Sequence, residues 1–90
     1  MSKRGRLDII NDILVIIQST KGKPTQIMYK ANLSYEMLSQ YLSDLIHKGF
    51  ILENKGKKGQ RTYSLTDKGA NFLRDYTIIK GFVESYGLNE

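Results

Sequence analysis

Between Leu7 and about Thr20, apolar residues fall at Leu7, Ile10, Leu14 and Ile17, with a second stripe at Ile9, Ile13 and Ile16. Both stripes step by three and four, the spacing that stacks side chains on one face of a helix. The run Ile13-Leu14-Val15-Ile16-Ile17 has the β-branched character of a strand, but its length and the polar pair Asn11-Asp12 favour a helix. A helix apolar on two sides needs cover on two sides, which hints at a partner.

Lys21-Gly22-Lys23-Pro24 breaks the pattern, with glycine as a helix stop and Pro-Thr as a helix start. Thr25 to Ala31 forms two turns that bury Ile27, Met28 and Ala31. Asn32-Leu33 is a very short connection, because Ser34 is a good N-cap and Glu36 suits the first turn of a further helix. That helix runs to about Lys48 with Leu38, Leu42, Leu45 and Ile46 on one face and Tyr41 beside it, and Gly49 stops it.

After Gly49 the period changes from 3.6 to 2. Phe50-Ile51-Leu52-Glu53 and Thr62-Tyr63-Ser64-Leu65 are expected as two strands of a hairpin, joined by the glycine-hinged basic loop Asn54 to Arg61. A lone hairpin is too small to stand in water, so it must pack on the helices. Thr66 is an N-cap with Asp67 in the first turn, opening a last helix to about Tyr86, where Gly87 ends it. In that helix Phe72, Tyr76, Ile79, Val83 and Tyr86 are spaced four, three, four, three, an a/d seam of about two heptads. Gly81 weakens the helix by about 1 kcal/mol relative to alanine.

The order helix, helix, tight turn, helix, basic hairpin, helix is that of a winged helix-turn-helix. The resemblance spans about Leu7 to Leu73. It is carried by Thr25-Gln26-Ile27-Met28-Tyr29-Lys30-Ala31-Asn32-Leu33-Ser34-Tyr35, by Leu38, Tyr41-Leu42 and Leu45, and by Gly49-Phe50-Ile51. It closes on Tyr63-Ser64-Leu65-Thr66-Asp67-Lys68-Gly69, a segment common to many winged-helix regulators. The chain resembles the archaeal winged-helix group that includes the small 10a-type DNA-binding proteins. That resemblance implies an α+β, mostly helical fold with a two-stranded wing. It also implies a C-terminal helix that pairs with a second copy as an antiparallel coiled coil. The organisation expected is a basic arm over 1–6, a winged-helix domain over 7–66 and a dimerisation helix over 67–90.

Charge sharpens the functional side. The 90 residues include 14 Lys and Arg against nine Asp and Glu, a formal charge of +5, which favours a polyanionic partner such as nucleic acid. The cations cluster as Lys3, Arg4 and Arg6 at the start and as Lys55, Lys57, Lys58 and Arg61 in the wing. The helix from Ser34 to Lys48 would be the one that enters a major groove. Tyr35, Glu36, Ser39 and Gln40, nearest its N-terminus and off its apolar stripe, are the candidates for base contact. Glu36 and Asp44 outnumber its single cation, Lys48, so phosphate affinity must come from the wing and from the basic arm. The seam Phe72, Tyr76, Ile79, Val83 and Tyr86 is expected to meet the same seam or the first helix of a second copy, making a homodimer.

Other chemistry is thin. There are no cysteines and one histidine, which excludes disulfides, a thiol nucleophile and the usual metal clusters. Gly56-Lys57-Lys58-Gly59 lacks the Gly-Lys-Ser/Thr ending of a P-loop. His47 lies near a helix C-terminus with no second base or oxyanion hole implied, so no enzyme and no cofactor are expected. The absence of a signal-peptide pattern or a long apolar run suggests a cytoplasmic protein with no membrane, and the winged-helix resemblance implies double-stranded DNA as partner and a place in the nucleoid. As a DNA-binding protein it would be a transcriptional regulator or an architectural one. The alternative is a winged-helix module that binds another protein and no DNA.

Overall fold

The computed structural model describes residues 4–88. It begins with α1 (Arg6–Ser19), followed by α2 (Pro24–Ala31) and α3 (Tyr35–His47). Strands β1 (Ile51–Lys55) and β2 (Arg61–Leu65) form an antiparallel hairpin, and α4 (Asp67–Ser85) completes the chain. This is the mostly helical α+β, winged-helix arrangement expected from the sequence. Ile13, Leu14, Ile27, Leu45 and Ile51 are fully buried, so α1, α2, α3 and β1 all meet in one core.

Local chemistry sets the element ends. The Ser34 Oγ accepts the Met37 N–H at 3.1 Å and the Thr66 Oγ1 accepts the Gly69 N–H at 3.1 Å, so both expected N-caps are formed. Asn32 takes the left-handed conformation (φ 56°) between α2 and α3, and Leu33 N–H closes back on the Met28 carbonyl. Gly49 (φ 81°) ends α3: its N–H and that of Phe50 bond the Ile46 and Leu45 carbonyls. Phe50 is thus spent in that turn, and β1 starts one residue later than expected.

The closing sequence motif is a clamp on the same turn. Thr66 N–H donates to the Phe50 carbonyl, its hydroxyl donates to the Gly49 carbonyl at 2.6 Å, and Lys68 Nζ reaches the Lys48 carbonyl at 2.8 Å. Gly69 is buried against the Phe50 carbonyl oxygen, where a Cβ would collide with backbone. The Thr-Asp-Lys-Gly segment therefore anchors α4 to the end of α3.

Several expectations are corrected. Leu7 is exposed, whereas Ile13 of the second stripe of α1 is buried in the protein's own core and Ile9 and Ile16 pack partly against it. Met28 is only partly buried. Ile46 is exposed, because it sits on the wing side of α3, nearly a quarter turn from the Leu38–Leu42–Leu45 stripe. The basic segment 54–61 is partly strand: Asn54 and Lys55 belong to β1 and Arg61 to β2, with Lys55 and Arg61 facing each other in the ladder, leaving 56–60 as the turn. Within the C-terminal seam, Phe72 and Tyr76 are already engaged by their own chain. Phe72 stacks on Tyr76 and meets Phe50 edge-on, while Tyr76 Oη donates to Asp8 Oδ1 at 2.7 Å.

Asp8 ties the start of α1 to α4. Besides Tyr76, its carboxylate accepts the Gly5 N–H and faces Lys80 Nζ at 3.5 Å. The Tyr76 hydroxyl, then the Gly5 amide, hold the Asp8 carboxyl below its ordinary value, and the same bond pushes Tyr76 up to about 12. A depressed carboxylate contributes stability above its unfolded pKa, near 3.9, that is lost as pH falls through the folded value. Tyr76, being raised, contributes stability below pH 10 that is lost only as pH rises through about 12. Tyr76→Phe should therefore lower the unfolding free energy by about 1 kcal/mol at pH 7 in urea titrations. The gap to wild type should close as pH falls below about 4; a gap unchanged at pH 3 would contradict the carboxylate bond.

Candidate nucleic-acid interface

With about 100° of turn per residue, three strips run along α3 outside its buried stripe. The outermost ridge is Glu36, Gln40, Ser43 and His47, spaced four, three and four residues apart and all exposed. On the wing side lie Tyr35, Ser39 and Ile46, which with Pro24, Glu53, Arg61 and Tyr63 border a groove of about 350 Å³ between α3 and the hairpin. On the α1 side lie Met37, Tyr41, Asp44 and Lys48, joined by Arg6.

The structure changes the electrostatic picture of this helix. Asp44 Oδ2 accepts from Arg6 at 2.8 Å and from Lys48 at 3.2 Å, and the Arg6 guanidinium also sits 5.8 Å from the Tyr41 ring centre. The acidic excess inferred for α3 is thus offset by a residue 38 positions away. The lysine one turn on was legible as an i,i+4 pair; the arginine had no local signal. Glu36 has no ion-pair partner among the described residues.

The wing supplies the other flank. Every residue from Leu52 to Arg61 is exposed, while Ile51 and Tyr63 point into the core and hold the hairpin down. Burial raises the Tyr63 phenol, in keeping with its place under the hairpin. Arg61 Nε lies 3.4 Å from Glu53 Oε1 across the ladder. Lys57 and Lys58 occupy the turn itself, closed by the Gly56 N–H bond to the Gln60 carbonyl at 2.6 Å. Lys58 takes a left-handed conformation (φ 66°) that costs a lysine about 1–2 kcal/mol, and its side chain is exposed.

The sequence candidates therefore fall in three places. Tyr35, Ser39 and Arg61 line the groove between α3 and wing, Glu36 and Gln40 stand on the outer ridge, and Lys55, Lys57 and Lys58 line the wing's rim and tip. Arg6 begins α1 and reaches α3, whereas Arg4 pairs with Asp12 at 2.9 Å on the side of α1. Lys3 lies outside the described residues. Ser43 and His47 were not among the base-contact candidates, although their spacing from Glu36 and Gln40 was available in the sequence. These ion pairs are exposed and worth about 0–1 kcal/mol each, weak enough for a phosphate to take over either cation.

No group of three or more His, Cys, Asp and Glu able to hold a metal occurs among the described residues, and no helix among them is long and apolar enough to cross a membrane. On α4, Ile78, Ile79, Phe82 and Tyr86 are more than half exposed, while Val83 is partly covered. The exposed stripe thus includes Ile78 and Phe82, which the heptad assignment omitted.

Comparison with known proteins gives consistent results. The family described as winged helix-turn-helix matches residues 3–83. The chain is 40% identical over 67 residues to the uncharacterised protein MJ0287 of Methanocaldococcus jannaschii, covering 74% of this chain and 64% of that one. An uncharacterised HTH-type transcriptional regulator of the same organism, MJ0361, is 29% identical over 77 residues, covering 81% of this chain and 72% of its own length. Against MJ0287 the chain thus spans just under two thirds of the relative's length. Among solved structures, Sso10a-2, a DNA-binding protein from Sulfolobus solfataricus, superposes with a TM-score of 0.74 at 24% identity over 93% of this chain and 90% of that one, a likeness of fold.

Proposed function

This chain belongs to the winged helix-turn-helix family, and we propose that it binds double-stranded DNA as a homodimer, with α3 in the major groove and the wing on the phosphate backbone. The observation that carries this reading is the layout of charge around α3. An exposed ridge without cations is flanked by Arg6 and Lys48 on one side and by Arg61, Lys55, Lys57 and Lys58 on the other. A major groove presents base edges between two rows of phosphates, and this surface has the matching sequence of cation, polar ridge, cation. The names of MJ0361 and Sso10a-2, a transcriptional regulator and a DNA-binding protein, point the same way. The role is non-enzymatic, that of a transcriptional regulator or a nucleoid-associated protein in the cytoplasm.

Dimerisation rests on α4. Ile78, Ile79, Phe82 and Tyr86 leave an apolar stripe uncovered on a helix whose length contributes to a 49 Å long axis. A second copy packing there in antiparallel fashion would bury this stripe together with Val83. The dimer seam is therefore centred on Ile79, Phe82, Val83 and Tyr86, with Phe72 and Tyr76 retained by their own protomer.

Fluorescence anisotropy with a random-sequence duplex, run across a salt series, tests both halves of the proposal together with sedimentation. Three to five phosphates neutralised per protomer give a logarithmic salt slope of about −5 to −9 for a dimer. Sedimentation at micromolar concentration should give twice the 10.3 kDa of the chain. No binding at about 50 mM salt would end the DNA proposal; a species of 10.3 kDa alone would end the dimer.

A further inference from the structure

Resting on the DNA-binding proposal, we infer that Glu36 and Gln40 are a specificity-determining pair that selects a cytosine and an adenine within two base pairs of each other. The two acids of α3 are not equivalent. Asp44 is held by Arg6 and Lys48 on the flank, whereas Glu36 stands on the outer ridge in the first turn, exposed and without an ion-pair partner among the described residues. A carboxylate placed between two rows of phosphates raises the free energy of every complex in which it finds no donor. It is a device for rejecting wrong partners.

The base edges offer few donors. In the major groove only the cytosine N4 and adenine N6 amino groups donate, and guanine and thymine present acceptors. On adenine the N6 donor lies beside the N7 acceptor, which repels the second oxygen of a carboxylate. Cytosine has no such neighbour. Glu36, an acceptor only, is therefore matched to cytosine, while Gln40, with one donor and one acceptor, matches the N7 and N6 pair of adenine. Neither side chain makes a hydrogen bond within the described protein that would have to be broken first. One helical turn separates them, a rise of about 6 Å, which is less than two base steps of roughly 3.4 Å each.

Selection from a random duplex pool, followed by sequencing, tests the pair with wild type, Glu36→Gln, Glu36→Ala and Gln40→Ala. Wild type should enrich a C·G pair and an A·T pair no more than two positions apart, each preferred about tenfold or more over its replacement. Glu36→Gln should turn the cytosine position toward adenine, and Glu36→Ala should leave it without preference. Both should bind random duplex about two- to fivefold more tightly, because a like charge has left the groove. Gln40→Ala should relax the adenine position alone. If Glu36 serves only as a first-turn acid for the helix, its variants change melting temperature and leave the selected bases as they are, which overturns the inference. A wild type that binds duplex without favouring cytosine also overturns it while the DNA-binding proposal stands. Failure of the wild type to bind any duplex at low salt removes that proposal itself.

Discussion

Alanine at Gly22 is expected to lower the unfolding free energy by about 3–5 kcal/mol, much of the roughly 5–15 kcal/mol that holds a domain of this size. Gly22 is buried with φ +70°, a conformation costing an L-residue about 1–2 kcal/mol. A Cβ at this position would collide with the Tyr63 carbonyl oxygen and crowd the Tyr63 nitrogen at 2.8 Å. The same backbone contact contains the Tyr63 N–H bond to the Gly22 carbonyl at 3.0 Å, which joins the α1–α2 connection to β2. Relief by local movement would draw Tyr63 off the groove beside α3, so duplex affinity should fall with stability. Gly81→Ala provides the contrast. Nothing lies within 4 Å of a Cβ there, and the change should stabilise α4 by about 0.5–1 kcal/mol. Urea denaturation of both variants decides the matter; equal midpoints would show that the α1–α2 connection does not bear on β2.

The largest effect on binding is expected from Lys57→Ala combined with Lys58→Ala. Both lysines are exposed in the wing turn and make no ion pair among the described residues, so their removal leaves no acid uncompensated. In a dimer the double substitution deletes up to four phosphate contacts, and each contributes about 0.9 to the logarithmic salt slope. The slope should flatten by about 3 to 4, and affinity for every duplex should fall by up to about three orders of magnitude near 0.1 M salt. Relative preference among sequences should be unchanged, since phosphates carry no sequence information. An unaltered slope would show that the wing stays off the backbone. Arg61 is a poorer choice for this measurement, because Glu53 would lose its partner at 3.4 Å and add a repulsion of its own.

Much of the fold was legible because it depends on local chemistry. Ser34 and Thr66 declare themselves as N-caps by residue type, and Gly49 and Gly87 as helix stops, since these roles involve atoms three or four residues away. The change of period after Gly49 marks the hairpin for the same reason. The errors lie where two elements compete for one side chain. Leu7 and Ile46 fit an apolar stripe as well as their neighbours do, yet they stay 53% and 36% exposed, Ile46 on the edge of the groove beside the wing. Phe72 and Tyr76, expected in a seam toward a second copy, also meet Phe50 and Asp8 within the protomer, contacts that heptad spacing does not register.

The candidate site divides in the same way. The ridge of Glu36, Gln40, Ser43 and His47 and the basic wing follow from spacing and composition, because helical periodicity and hairpin turns are properties of short segments. Tertiary structure alone brings Arg6 to Asp44 across 38 residues and so neutralises one of two acids on α3. It alone places Tyr63 and Arg61 beside Tyr35 to make the groove. The sequence by itself determined which segments fold and which faces are polar, through hydrogen bonds and side-chain periods that span at most a few residues. The packing of α1 and the hairpin around α3 decided which charges are paired and which stand free, because Coulomb interactions depend on distances in space that no local pattern encodes.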